Sequence, residues 1–262
     1  MDSILSIKNL CMNFGGINAL DNVNIDIKSG EITALIGPNG AGKTTLFNCI
    51  TGIYKPSNGN IILSLPGKKS KYINGLKPNQ ITKHGMARTF QNIRLFSNMT
   101  ALENIMIGTH CRTSTGVFGA IIRGKKNREE EKYAISKSYK LLKYMGLEKY
   151  ANELARNLPY GEQRLLEISR AMATDPYILL LDEPAAGMNP TETHNLITLV
   201  KKIRDEENIS IILIEHDMKM VMNISTKIFV MEYGRKIAEG SPEDIKDNPQ
   251  VIKAYLGEDF DA

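Results

Sequence analysis

The chain is poor in the features that mark secreted, zinc-binding and membrane-spanning proteins. Its only cysteines are Cys11, Cys49 and Cys111, an odd number with no C-x-x-C spacing. That supports neither a disulfide framework nor a zinc site, and predicts free thiols in a reducing cytoplasm. Long apolar runs are missing too. Stretches such as 178–181 and 211–214 are strand length, far short of the ~18 residues that span a bilayer. Met1 to Lys8 lacks a basic segment followed by an apolar one, so no leader is expected. A role at a membrane would be played from the cytoplasmic side, through a partner. Charge of one sign is scarcely in excess: a net +4 does not argue for nucleic acid, although it suits an acidic membrane surface. No internal repeat or low-complexity tract stands out. What remains is 262 residues of ordinary globular composition, enough to bury a sizeable core as one large domain or a core with a subdomain.

The chain is organised around residues 31–52. An apolar strand (32–36) runs into Gly37-Pro38-Asn39-Gly40-Ala41-Gly42-Lys43-Thr44, and a helical stretch follows to Gly52. This is the full G-x-x-x-x-G-K-[ST] phosphate loop in its strand–loop–helix setting. Glycines at 37, 40 and 42 let several N–H groups face one anion, and the new helix aims its positive end at the same point. Lys43 can reach β- and γ-phosphates, and the Thr44 hydroxyl can ligate Mg²⁺. The stretch predicts nucleoside triphosphate binding.

Around it, strands are expected over 4–10, 23–27 and 60–65, with an exposed loop over 66–80 and a short strand over 87–91 ending at Gln91. From 100 to 175 the spacing turns helical. Thr100 with Glu103 forms a capping box. A long helix over 128–145 would bury Ile135, Tyr139, Leu142 and Met145, and 112–126 reads as a loop. From 177 strands and helices alternate again: strands over 177–181 and 209–214, helices over 191–206 and 217–224, a hairpin about Tyr233-Gly234, and a capped helix from Ser241. The predicted fold is α/β, with a nucleotide-binding core and an inserted helical subdomain.

Other residues carry chemistry. Asp182 and Glu183 end a buried strand, where ligands of open α/β sheets gather. Asp182 would hold Mg²⁺, and Glu183 would orient and deprotonate an attacking water; alone, Asp182 could equally cap a turn. His216 ends a second such strand and could hydrogen-bond a γ-phosphate, and Gln91 could touch both Mg²⁺ and water. Phe14, beside Gly15 and Gly16, is either a small-core anchor or a base-stacking ring, and the residues alone favour the anchor. Leu158-Pro159-Tyr160-Gly161-Glu162-Gln163 precedes an amphipathic helix whose start could accept an anion. It follows Lys43 by 118 positions (161 − 43), so a neighbouring chain's nucleotide is its natural target.

Together, in this order, 37–44, Gln91, 158–163, Asp182-Glu183, Asn189 and His216 resemble the nucleotide-binding subunit of ABC transporters over essentially the whole chain. The resemblance implies a P-loop NTPase core with an antiparallel β subdomain and an inserted α-helical subdomain. The core would be 1–91 and 176–240, the helical subdomain 92–175 and the tail 241–262. It implies a head-to-tail dimer that sandwiches two ATPs with Mg²⁺. ATP would be held by Phe14 as the adenine-stacking aromatic and by Gly37, Pro38, Asn39, Gly40, Ala41, Gly42, Lys43, Thr44 and Thr45, with Tyr160, Gly161 and Glu162 serving the partner's nucleotide. Glu183, His216 and Gln91 would be catalytic, and Thr44, Gln91 and Asp182 would hold the metal. The signature departs from Leu-Ser-Gly-Gly-Gln: Pro159 removes the serine hydroxyl and offers no N–H, Tyr160 replaces a glycine, and Glu162 replaces the glutamine. Asn189 stands where the D-loop usually has Asp.

Those departures, with 182–190, 214–218 and the tail 251–257, look like the longer ATPase subunit of branched-chain amino acid importers. That implies transmembrane permease subunits, a second ATP-binding chain (homo- or heterodimer, with the signature favouring the latter) and, indirectly, a periplasmic or extracellular amino-acid-binding protein. The place would be the cytoplasmic face of the inner membrane, with no nucleic acid involved. Rivals are ABC ATPases for urea or lipopolysaccharide, a non-transport ABC ATPase, and a phosphate-loop kinase.

Overall fold

Two β-sheets share the interior, and strand alternation decides which layer each residue serves. The computed structural model describes residues 3–112 and 125–256. β1 (Ser3–Phe14) and β2 (Ile17–Lys28) form a long antiparallel pair turning at Gly15-Gly16. After β3 (Ile32–Ile36) and helix α1 (Lys43–Ile50), β4 (Asn58–Leu63) and β5 (Lys71–Tyr72) complete a four-stranded sheet of order β2-β1-β4-β5. Helix α2 (Pro78–Lys83) leads to β6 (Met86–Arg88). The second sheet also takes in β7 (Ile178–Asp182), β8 (Ser210–Ile214), β9 (Lys227–Glu232) and β10 (Arg235–Gly240), in the order β10-β9-β3-β8-β7-β6. Its strands pair in parallel except at β10, the edge.

Every residue of β3, β7 and β8 is buried, which is why these strands read as unbroken apolar runs. Successive side chains face opposite layers. In β7, Ile178 and Leu180 pack toward the antiparallel sheet, α1 and the 78–83 helix, whereas Leu179 and Leu181 pack toward the helices that follow in the chain.

Between β6 and β7 the described structure is helical: α3 (Ala101–Thr109), α4 (Lys125–Tyr144) and α5 (Tyr160–Met172). The Thr100 capping box forms as expected: its hydroxyl accepts from the Glu103 N–H, and its own N–H donates to Glu103. After β7 come α6 (Pro190–Glu207), α7 (Met218–Ile224), α8 (Pro242–Lys246) and α9 (Pro249–Leu256).

Three expectations are corrected. The stretch 66–80 holds β5 and the start of α2 rather than loop alone. The strand expected to reach Gln91 stops at Arg88; the Thr89 N–H still donates to Leu180 O, and the chain then leaves the sheet. In α4, Ile135 and Tyr139 are exposed, and Ala134 and Ser138 are buried beside Leu142. Small side chains face inward there because α4 packs on α3, and close packing of two helices leaves the bulky residues outside. Most of the loop expected over 112–126, and the end of the tail, lie outside the described residues.

Candidate active site

The phosphate loop is shaped by close backbone approaches. At Gly37 (φ +144°) a Cβ would stand 2.0 Å from the Met231 carbonyl, and at Gly42 (φ +97°) one would stand 2.7 Å from the Ala19 carbonyl. Neither position admits a side chain. Gly42 is the N-cap of α1, whose first bond runs from the Leu46 N–H to Gly42 O. The N–H groups of Lys43, Thr44 and Thr45 therefore point out of the helix end. The buried Lys43 ammonium donates to the carbonyls of Gly37 and Pro38, lying across the loop, and the Thr44 side chain is exposed. Oriented N–H groups, a helix start and one ammonium are the apparatus for a polyphosphate.

Asp182 and Glu183 follow from β7, as the sequence predicts, but with different partners. Asp182 is 4% exposed, and its Oδ2 accepts from Arg88 Nη2 at 2.7 Å. The other arm of that guanidinium donates to Asn48 Oδ1 at 2.7 Å and Thr51 Oγ1 at 3.1 Å, and its plane lies near the rings of Phe47 and Phe90. Arg88 thus ties β7 to the C-terminal half of α1, a role that no local pattern announced.

Glu183 gathers the expected catalytic side chains. Its Oε2 accepts from Gln91 Nε2 at 2.8 Å, and its Oε1 lies 2.7 Å from His216 Nε2. Its backbone is left-handed (φ +47°), anchored by its N–H donating to Ile214 O on β8. Behind it, buried Glu215 accepts the N–H groups of Ala185 and His216 at 2.9 and 3.2 Å. Burial pushes the Glu215 carboxyl above the usual range, and the N–H groups of Ala185, His216 and Asp217 oppose that shift. Sequence reasoning passed over Glu215, though a second carboxylate beside His216 at a strand end was a visible signal.

Hard oxygen donors suit Mg²⁺. The Thr44 hydroxyl, the Asp182 oxygen that Arg88 leaves unbridged and the Gln91 amide are of that kind. Among the described residues no group of three or more His, Cys, Asp or Glu could hold a metal.

Phe14 is 42% exposed and meets Tyr54 edge to face, centroids 5.2 Å apart, so one ring face is free of that packing. At the signature, Pro159 is the N-cap of α5 and the first bond runs from the Gln163 N–H to Pro159 O, turning the N–H groups of Tyr160, Gly161 and Glu162 outward. The chain does not bring the signature to its own phosphate loop. Pro38 to Ala41 border a groove of about 920 Å³ with Tyr233 and Lys253, whereas Gly161 and Glu162 border another of about 290 Å³ with Met188 and Glu192. Asn189 is the N-cap of α6, its Oδ1 accepting from the Thr191 and Glu192 N–H groups at 3.0 Å. A third groove, about 670 Å³, flanks the Gln91 loop and is lined by Phe90, Arg94, Leu95, Phe96 and Arg170.

Residues 20–186 match the family model described as "ABC transporter", and residues 235–261 match "Branched-chain amino acid ATP-binding cassette transporter". The high-affinity branched-chain amino acid transport ATP-binding protein LivG of Escherichia coli K12 is 48% identical over 255 residues, covering 97% of this chain and 98% of that protein. Among solved structures, the ADP conformation of an ATP-binding cassette of an ABC transporter superposes with a TM-score of 0.84 at 32% identity, covering 98% of this chain and all of that one. A dimeric cassette in a post-hydrolysis state, bound to ADP and Pi, has a TM-score of 0.74 at 26% identity, covering 91% and 98%.

Proposed function

Since the chain belongs to the ABC transporter family, we propose that it binds ATP between two subunits and spends its hydrolysis on branched-chain amino acid import. It is the ATP-hydrolysing subunit of a transporter, working in a dimeric arrangement beside transmembrane partners. The observation that carries the site assignment is the Glu183 carboxylate held between Gln91 and His216.

The roles follow from chemistry. Lys43 and the N–H groups of Gly37 and residues 39–45 hold the phosphates, and Phe14 stacks on the adenine. Thr44, Asp182 and Gln91 would hold Mg²⁺, which would neutralise charge on the phosphates. Glu183 takes a proton from the attacking water as the water oxygen bonds to the γ-phosphorus. The bond from that phosphorus to the bridging oxygen breaks, and ADP leaves with those electrons. His216 and Gln91 fix the carboxylate and the water, and Tyr160, Gly161 and Glu162 meet the nucleotide of the facing subunit through backbone donors.

We assign 1–91 and 176–240 to the nucleotide-binding core, 92–175 to the helical subdomain and 241–262 to the tail. The groove beside the Gln91 loop receives a short helix of a permease subunit, its aromatic and arginine lining suiting an amphipathic segment. No helix among the described residues is long and apolar enough to cross a membrane. As the ATP-binding subunit of a transporter, the chain acts peripherally, on the cytoplasmic face of the inner membrane, and an amino-acid-binding protein joins only indirectly. Pro159 and Tyr160 favour a heterodimer with a second ATPase chain.

Replacing Glu183 by Gln tests the assignment. Turnover should fall about 10²- to 10⁴-fold, the usual contribution of a positioned base, while ATP affinity stays near wild type. An ATP-dependent dimer of the variant, seen by size-exclusion chromatography, would show that this chain can sandwich nucleotide with itself. Wild-type turnover in the variant would overturn the role of Glu183.

A further inference from the structure

Arg164 is the largest fully buried side chain among the described residues, and it lies one turn into the signature helix α5. Its guanidinium does not stay within that helix. Nη1 donates to Phe90 O at 2.6 Å and to Glu167 Oε2 at 2.9 Å, and Nη2 donates to Gln91 O at 2.7 Å. Glu167 completes the grip, its other oxygen accepting the Arg94 N–H at 3.2 Å. Arg94 in turn lies over the Phe90 ring, 4.1 Å from its centroid. One face of one helix thus holds the 90–94 loop by three backbone groups.

A buried ion pair is a poor way to fill space, because desolvation consumes most of its attraction and apolar residues of similar volume do as well or better. Here the arrangement even leaves Arg164 Nε buried with no partner. What the guanidinium supplies that an apolar side chain cannot is direction, a rigid fork that fixes two consecutive carbonyls at once. One of them belongs to Gln91, whose side chain reaches Glu183. The same helix also meets the turn that follows Glu183: a Cβ at Gly187 would stand 3.1 Å from Tyr160 Cε1.

We infer that Arg164, braced by Glu167, is a positioning residue that links the signature to the chain's own hydrolytic cluster. The inference rests on the roles proposed above for Gln91 and Glu183. The start of α5 faces the partner's nucleotide, and its first buried turn holds Gln91 against Glu183. Occupancy of one ATP site is thereby read in the other through a contact about one helical turn long.

The full-length chain is compared with Arg164→Lys and with Arg164→Met/Glu167→Leu, which removes both members of the ion pair. Three readouts are taken: amide exchange over 89–94, equilibrium binding of a fluorescent ATP analogue, and hydrolysis against ATP concentration. Arg164→Lys keeps the charge and Glu167 but can serve only one carbonyl well, so exchange over 89–94 should rise about tenfold. In the double variant nucleotide affinity should stay within about twofold, and kcat should fall about a hundredfold through misplacement of Gln91. Unchanged exchange in Arg164→Lys overturns the inference. So does a double variant whose turnover falls only with its folded fraction. A wild-type chain that binds ATP without hydrolysing it would instead count against the role of Glu183, and the exchange readout would still judge Arg164.

Discussion

Removing Arg88 should expose how strongly the hydrolytic strand depends on one guanidinium. In Arg88→Met the side chain keeps its unbranched reach between the Phe47 and Phe90 rings but loses every donor. Asp182, 4% exposed, is left as a buried charge without its ion pair, which costs about 3–5 kcal/mol. Asn48 and Thr51 lose a shared donor, adding about 1 kcal/mol. At about 2–4 °C per kcal/mol for a chain of this size, the melting temperature should drop by roughly 10–20 °C. Arg88→Lys retains the charge but cannot reach Asp182 and Asn48 together, and should cost about 1–2 kcal/mol. Asp182→Asn alone strands the guanidinium and should cost about as much as Arg88→Met. The double variant strands nothing, so it should fall short of the sum by at least about 2 kcal/mol. Urea unfolding of the four proteins without nucleotide measures the cycle. Additivity within about 0.5 kcal/mol would refute the claim that the pair joins β7 to α1.

Other outcomes are equally definite. Burial pushes the Cys49 thiol from 9.0 up to about 11, so at pH 8 about one molecule in a thousand carries the thiolate; mass spectrometry after brief alkylation should find Cys11 and Cys111 modified and Cys49 intact. Glu215 has a raised folded pKa, so its contribution is present below its ordinary value of 4.5 and is lost as pH rises through the folded value. The stability of wild type relative to Glu215→Gln should therefore decline from pH 4 to 7, and a difference that grows with pH would contradict the buried placement. Gly187→Val meets the Tyr160 ring at a left-handed residue (φ +78°), and should cost about 1–3 kcal/mol in urea unfolding. Thr100→Ala removes a capping box and should cost about 1 kcal/mol, read as a fall of about 2–4 °C in melting temperature.

Much of this was visible in the residues themselves, for identifiable reasons. β3, β7 and β8 are buried on both sides, so their apolar runs could not be mistaken, and the polar residues that end them mark where the sheet opens to ligand. Gln91, Glu183 and His216 could be named because each stands at or just past a strand end. Their convergence on one carboxylate could not be read locally, since it depends on which strands are neighbours. Arg88 meets Asp182 across 94 positions, and Arg164 meets Gln91 across 73. No periodicity carries such pairs, although Arg164 and Glu167, three apart on a helix otherwise turned inward, were a signal of sorts. The face of α4 was misjudged because spacing weighs bulk. The buried positions are Ala134 and Ser138, chosen for closeness rather than size.

The left-handed backbone at Glu183 gives the site a cost that selection for folding alone would remove. A side chain there strains the peptide by about 1–2 kcal/mol, and glycine would relieve it with no loss of the N–H bond to Ile214. The chain keeps a carboxylate where its backbone least tolerates one, because that twist turns the residue after β7 away from the sheet and toward Gln91 and His216. Stability and turnover therefore pull this position in opposite directions. A library screened only for thermal tolerance should drift to glycine at 183, and one screened for transport should not.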